Sequence, residues 1–425
     1  MVVVATFIVL LLIGLPVAIV IGLSAVVWLF TAGMDVFLVA QRMFTGLDTF
    51  SLLCVPFFVM VGELMNGSGL TDRLIKVAQL VVGHLPGGLA HINVVTSMLF
   101  AGVSGSASAD TAAVGGVLIP AMIKEGYSPG YSAAVTAASS CIGPIIPPSM
   151  LMIFYAITAE ESIQTLFCAG MIPGILMGIV QMILCAYYAK KEGHKPNNRR
   201  ATLKDIAAAI KECWLALLAP VLLVGCILGG VCTPTESGAI CCLYCFLVGV
   251  FVYKTIKIKD MPQMLSNAAL MTGTCFYIVA NASFLAWMLT AQGVSQAIGV
   301  ALSGLTGNWV LLMTMFILIL LFFGTFMESI AAIIILTPIF LPLATAAGIN
   351  KVHLGLVMVL GMDLAMITPP VGICLFIAMR IAKISLEHLT KSILPFMLVC
   401  FVVLFLIGYF PQIVLFLPKL MGMMG

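Results

Sequence analysis

Residues 309–323 are apolar at every position except Thr314. A helix on the surface of a soluble protein keeps a polar face, so a run apolar on all sides calls for lipid or for complete burial. Composition decides for lipid. Of 425 residues, 62% are hydrophobic and 8% are charged, whereas a soluble domain carries about 25% charged side chains. With 19 basic and 16 acidic residues the net charge is +3, which leaves no basic face for neutralising the phosphates of a nucleic acid. A membrane β-barrel would alternate apolar and polar residues over ~10-residue segments, and long unbroken runs exclude it. An all-α polytopic membrane protein remains. The N-terminus opens directly on an apolar run with no basic region or small-residue cleavage site, which predicts a retained membrane segment. Most of the 13 cysteines lie inside apolar stretches. Cys242 and Cys245 sit mid-helix beside Cys241 without histidines and read as packing residues, not as a redox or metal motif.

The scarce charges orient the chain. Lys190, Lys191, Lys195, Arg199, Arg200, Lys204 and Lys211 form a basic segment, which the positive-inside rule assigns to the cytoplasm. Residues 212–253 suffice for two passes, turning outside at Thr233-Pro-Thr-Glu236, and return Lys254, Lys257 and Lys259 to the same side. Single crossings at 129–161, 162–189, 264–291, 352–380 and 393–412 complete a threading in which Arg42, Lys351 and Lys419 are the basic residues left outside. Two stretches resist simple crossing. Residues 88–124 are broken by Ser-Gly-Ser-Ala-Ser-Ala-Asp (104–110), and residues 308–346 by Gly-Thr-Phe-Met-Glu-Ser (324–329). Both read as re-entrant helical hairpins, whose non-helical tips are tolerable at membrane depth only inside protein or beside a water-filled cavity.

The chain is built twice. A shift of 218 places Pro16 on Pro234, Asp110 on Glu328 and Pro120 on Pro338; after a four-residue insertion the shift is 222 and places Gly126, Pro147 and Pro148 on Gly348, Pro369 and Pro370. The first hairpin enters from the cytoplasm and the second from outside, so the repeats are inverted, the signature of secondary transporters with broken helices. The same symmetry makes Gly14-Leu-Pro16 a turn between two short helices, with Met1 outside; one long helix with an inside N-terminus is the other arrangement.

Asp110, Glu236, Glu328 and Asp363 are the acids closest to membrane depth, where an unpaired carboxylate facing lipid costs several kcal/mol. Asp110 and Glu328 suit capping of the second helix of each hairpin, a role that is compatible with an ion site at the same helix end. The double prolines remove backbone donors and force the preceding residues out of helical geometry. That leaves carbonyls of Gly143, Ile145, Ile146, Met366 and Thr368 without helical partners. Sodium accepts neutral oxygens, so Ser104, Ser106, Gly143, Ile146 and Pro147 form one candidate sodium site, and Gly324, Thr325, Gly361, Met366 and Thr368 its symmetry mate. Substrate is expected between the tips, against Ser104, Ser106, Ser108, Asp110, Ser149, Thr325, Glu328 and Ser329. Positive helix ends and hydroxyls there suit an anionic, polyhydroxylated or carboxylated solute. Any single serine also reads as a small packing residue.

These residues resemble a known family. Gly-Leu-Pro-Val-Ala (14–18), Leu-Pro-Gly-Gly-Leu-Ala-His-Ile-Asn (85–93), the 100–110 tip, Ile-Pro-Ala-Met (119–122), the 137–149 break, Thr-Pro-Thr-Glu (233–236) and Thr-Pro-Pro-Val-Gly (368–372) together resemble the large membrane subunit of tripartite ATP-independent periplasmic (TRAP) transporters. The likeness runs over essentially the whole chain. Cys232 departs from the aromatic residue common before Thr233, and 324–328 matches the family more loosely than the first tip. The resemblance implies an inverted-repeat elevator-type transporter with two re-entrant hairpins, two broken helices and about eleven crossings of some 20 residues each. It implies scaffold helices with an amphipathic arm at 69–83 (1–87), a first transport half (88–161), connecting and scaffold helices (162–307), a second transport half (308–380) and a C-terminal helix (381–425). It also implies a bacterial inner-membrane location, sodium as coupling ion with no other cofactor, a separate small membrane subunit of about four helices, and a periplasmic binding protein that delivers an organic acid. Sialic acid is the first expectation, with C4-dicarboxylates and other sugar or keto acids next. No Walker-type phosphate loop is present, in keeping with transport without an ATPase. A self-sufficient sodium-coupled anion transporter shares hairpins and inverted repeats. An intramembrane hydrolase using Asp110 with Asp363 or Glu328 lacks any nucleophile and base pair, so no enzymatic activity is expected.

Overall fold

The computed structural model describes residues 2–193, 203–293 and 308–424, and among these residues all regular secondary structure is helical. Helices α1 (Val2–Leu12) and α2 (Val17–Thr31) are separated at Gly14, which has a φ of 86° and is followed by Pro16, so the N-terminal segment is two short helices. Then come α3 (Phe37–Leu47), α4 (Cys54–Gly67) and α5 (Leu70–Val82). Helix α5 buries Leu70, Leu74, Ala78 and Val82, one stripe at four-residue spacing, and exposes Lys76 and Gln79, as an amphipathic arm should. The first hairpin is α6 (Gly88–Ser104) and α7 (Ala107–Lys124), and the first broken helix is α8 (Pro129–Ser140) and α9 (Met150–Ala159). Helices α10 (Ile163–Glu192), α11 (Leu203–Leu228), α12 (Pro234–Leu247) and α13 (Met261–Ala291) lead to the second half. It repeats the pattern with hairpin α14 (Trp309–Gly324) and α15 (Ser329–Ala346) and broken helix α16 (Lys351–Ala365) and α17 (Ile373–Ala382), then closes with α18 (Leu386–Tyr409) and α19 (Pro411–Leu420). Lys195, Arg199 and Arg200 of the basic segment lie outside the described residues.

Helix ends set the register of the repeat and correct one expectation. Helices α7 and α15 are both 18 residues long and start at Ala107 and Ser329, a shift of 222. Pro120 then matches Pro342, not Pro338. Left-handed Gly126 and Gly348 and the N-caps Ser128 and Asn350, each accepting backbone N–H groups of the next helix, keep the same shift. The four-residue insertion therefore lies upstream of the hairpins. Ser106, the N-cap of α7, is the counterpart of Glu328, the N-cap of α15; Asp110 lies one turn further in. Glu236 also leaves the group of buried acids. It is exposed and closes a capping box with Thr233 at the start of α12, two reciprocal hydrogen bonds that satisfy helix-end donors.

Helices α8 and α16 form the centre, buried at nearly every position. In each half the hairpin packs on the first arm of its broken helix, α6 and α7 on α8, and α14 and α15 on α16. The halves interlock because α17 packs on α7 and α8, and α9 on α15 and α16. Outside this body, α13 packs on α2, α3, α4 and α15, and α12 on α4 and α11. Six described segments are long and apolar enough to cross a membrane. The other apolar helices run 10–17 residues, because glycines and prolines divide the hairpins and broken helices into short arms. Helix α19 is an element the sequence did not announce; Pro411 at its first turn restarts the chain after α18.

Candidate functional site: hairpin tips and helix breaks

The first tip is seated on the first break. Gly105 turns the chain with φ 57°, and a Cβ there would lie 2.6 Å from the carbonyl oxygen of Pro148, so only glycine lets the backbones approach this closely. A Cβ on Gly143 would lie 3.8 Å from the Ser106 carbonyl, and one on Gly102 would lie 3.8 Å from that of Pro147. The backbones of Ser106, Gly143 and Pro147, named together for the first sodium site, thus share one neighbourhood. Ile146 belongs to the same break, with its N–H bonded to Ile142 O at 3.1 Å. The Ser104 side chain lies outside the described residues. Among the described residues, the carbonyls of Gly143, Ile146 and Pro147 accept no backbone N–H. Ser149 caps α9, accepting from Met152 N at 3.2 Å, and is fully buried.

At the second tip Gly324 packs against Ala365 and Met362, and Gly361 faces Leu320, so the α14 end meets the α16 end as the symmetry requires. Two details differ from the sequence expectation. The Met366 carbonyl is not bare, because Cys374 N donates to it at 3.2 Å, α17 folding back over the break. The hydroxyls of Thr325 and Thr368 donate to Phe322 O and Leu364 O, each at 2.8 Å. Glu328 accepts from Ala331 N at 2.9 Å and caps α15; Ser329 is buried directly after it.

A cavity of about 610 Å³ opens between the first tip and the outer helices, within the usual range for small-ligand sites. Ser106, Ser108 and Met150 line one side, and Glu63 and Asn66 of α4 with Asn267 and Thr274 of α13 line the other. The Ser106 and Ser108 hydroxyls lie 3.2 Å apart. Asn267 links the outer wall, donating to Glu63 at 3.3 Å and accepting from Gln263 at 2.9 Å. Thr325, Glu328 and Ser329 do not line this cavity, nor does Asp110, which is fully buried on α7.

Sequence reasoning missed the polar wall from α4 and α13, whose residues are scattered among apolar ones. It also missed a buried lattice behind the tip. Asn93 donates to Thr136 at 2.6 Å and accepts from Ser139 at 3.2 Å, Ser97 meets Ser139 at 3.0 Å, and Thr111 donates to Ser140 at 2.6 Å. The available signal was helical spacing, since Asn93 with Ser97, and Thr136 with Ser139 and Ser140, each share a helix face. Buried hydroxyls and amides satisfied in this way hold α6, α7 and α8 in one arrangement.

Residues 4–413 match the family described as "Tripartite ATP-independent periplasmic transporter, DctM component". The chain is 39% identical to the uncharacterized protein YgiK of Salmonella typhimurium over 98% of its own length and 96% of that protein. It is 38% identical to the isethionate TRAP transporter permease protein DctMQ of Oleidesulfovibrio alaskensis over 96% of its length and 64% of that protein. Identity is 37% to the sialic acid TRAP transporter large permease protein SiaM of Vibrio cholerae, over 90% and 89% of the two chains. Among solved structures, the Alcanivorax borkumensis YdaH transporter shares the fold, with a TM-score of 0.64 at 16% identity over 91% and 89% of the two chains. The Oleidesulfovibrio and Vibrio relatives are named as TRAP transporter permeases and the Alcanivorax protein as a transporter, none of them as an enzyme. The chain is thus a multi-pass protein of the bacterial inner membrane that belongs to the DctM family, the large membrane component of tripartite ATP-independent periplasmic transporters.

Proposed function

We propose that this chain is the translocating subunit of a sodium-driven uptake system for an organic acid, working by an elevator movement. Secondary transport of organic acids is the business of the family; the sodium coupling, the acid and the movement are the proposal. The first tip carries the reading. Gly105 and Ser106 are seated on a helix break where, among the described residues, the carbonyls of Gly143, Ile146 and Pro147 accept no backbone N–H, which is the chemistry a dehydrated sodium ion needs. The adjacent cavity supplies hydroxyls and amides for a hydroxylated acid, and the ion at the tip offsets its negative charge. The residues of 88–161 and 308–380 then move as one body against scaffold helices from 1–87 and 162–307. Sialic acid is the substrate proposed first, in line with the name of the Vibrio cholerae relative; isethionate, from the name of the Oleidesulfovibrio relative, and C4-dicarboxylates complete the panel. A periplasmic binding protein delivers the acid, and a small membrane subunit completes the scaffold.

The test is uptake into liposomes holding this chain with its small subunit, with and without the binding protein, across a panel of acids and with sodium gradients imposed or collapsed. Uptake that ignores sodium sinks the coupling. Full activity without the soluble protein turns the reading into a self-sufficient sodium-coupled anion transporter.

A further inference from the structure

Asp110 on α7 and Asp363 on α16 come from opposite halves of the chain, and both are fully buried. Among the described residues, none of their four carboxylate oxygens has a hydrogen-bond partner. Among the described residues, Asp110 is the charged group that faces Asp363, and Ser97 of α6 lies beside Asp110. The gap between the acids is bridged structurally. Thr111, next to Asp110, bonds Ser140 at 2.6 Å, and Cys141, next to Ser140, donates to the Asp363 backbone carbonyl at 3.7 Å. The other titratable groups facing the pair are the thiols of Cys141, Cys374 and Cys400, from the α8 end, α17 and α18. No lysine, arginine or histidine among the described residues offsets the two carboxylates. A second observation comes from α10. The Gln181 side-chain oxygen is buried without a partner among the described residues, while its amide nitrogen donates to Ala138 O at 2.9 Å and to Cys400 Sγ at 3.4 Å. The centre of the molecule therefore holds an excess of oxygen acceptors over donors.

An ionised carboxylate only accepts, and two of them buried together without a counter-charge are strongly unfavourable. We propose that Asp110 and Asp363 jointly hold one monovalent cation, with sodium as the test ion, at a buried site separate from the carbonyls of the hairpin tips. The site goes beyond the two sodium sites proposed from the repeat. Being anionic, it exchanges its ion for a proton, which sites built from neutral carbonyls do not.

Binding of radioactive sodium to the purified full chain in detergent, with choline holding ionic strength constant, tests this for wild type, Asp363→Asn, Asp110→Asn and Gly143→Ala. Either asparagine variant should bind one fewer sodium ion per chain. In the wild type, affinity for that ion should fall as the pH is lowered, by up to about tenfold per pH unit, the limit for one competing proton. Unchanged sodium binding in both asparagine variants overturns the proposal, as does sodium binding by the wild type that ignores pH. The pH series needs no variant, so it decides the matter even where a variant fails to fold. Loss of an ion in Gly143→Ala alone supports the tip site and refutes this one; loss in both asparagine variants but not in Gly143→Ala does the reverse.

Discussion

Gly105→Ala loads the contact on which the first tip depends. At φ 57° an alanine occupies the left-handed region at a cost of about 1–2 kcal/mol. Its Cβ would also stand 2.6 Å from Pro148 O, well inside van der Waals contact, and overpacking of this kind costs about 1–3 kcal/mol. The sum, about 2–5 kcal/mol, is a large part of the 5–15 kcal/mol by which a typical domain is stable. The cheapest relief is withdrawal of the tip from the break, which separates the Ser106 carbonyl from Gly143. Gly116→Ala is the matched control, because it lies in the same hairpin and its Cβ would meet nothing within 4 Å. In an ordinary helical conformation it should gain about 0.5–1 kcal/mol. Thermal unfolding of the two purified variants, with uptake by the reconstituted system, gives the comparison. Gly105→Ala should unfold earlier and lose uptake, while Gly116→Ala should match or exceed wild type. If both glycine variants unfold and transport alike, the close seating of the tip on Pro148 is wrong.

Other substitutions probe the surrounding frame. Asn93→Ala removes the buried bonds to Thr136 and Ser139 and should lower stability by about 1–3 kcal/mol, read as an earlier unfolding transition; a wild-type transition would show that the lattice carries no net stability. Gly355 lies against the Tyr155 ring across the two halves, so Gly355→Ala should cost about 1–3 kcal/mol, and pairing it with Tyr155→Leu should recover part of that loss. Additive effects would mean the two positions do not touch. Glu328→Ala deletes the α15 cap and should cost about 0.5–2 kcal/mol, whereas Glu328→Gln keeps an acceptor for Ala331 N and should stay near wild type in stability; uptake lost in Glu328→Gln at unchanged stability would give the carboxylate a role beyond capping.

Much of the frame was legible before folding because it rests on local rules. The turn at Gly14, the arm at 69–83, the hairpins and the helix breaks at the double prolines all follow from where glycine and proline interrupt apolar periodicity. The pairing of Asp110 with Glu328 was not so secure. A shift read from matching residue types cannot locate a four-residue insertion, whereas helix starts can, and these put Ser106 opposite Glu328. Met366 was similarly misjudged as a bare carbonyl, because the N–H that satisfies it belongs to Cys374, beyond the break.

Apolar runs and the positions of proline and glycine act over a few residues, so residue order alone makes it plain that the chain lives in lipid, that it is a doubled set of broken helices, and which family it belongs to. What stands opposite each break emerges only when the helices pack, as do the polar wall that α4 and α13 set facing Ser106 and Ser108 and the buried core that Asp110 and Asp363 share. Those pairings, from Gly105 with Pro148 to Asp110 with Asp363, reach well beyond one helix turn, and no local pattern records which faces meet when the two halves interlock.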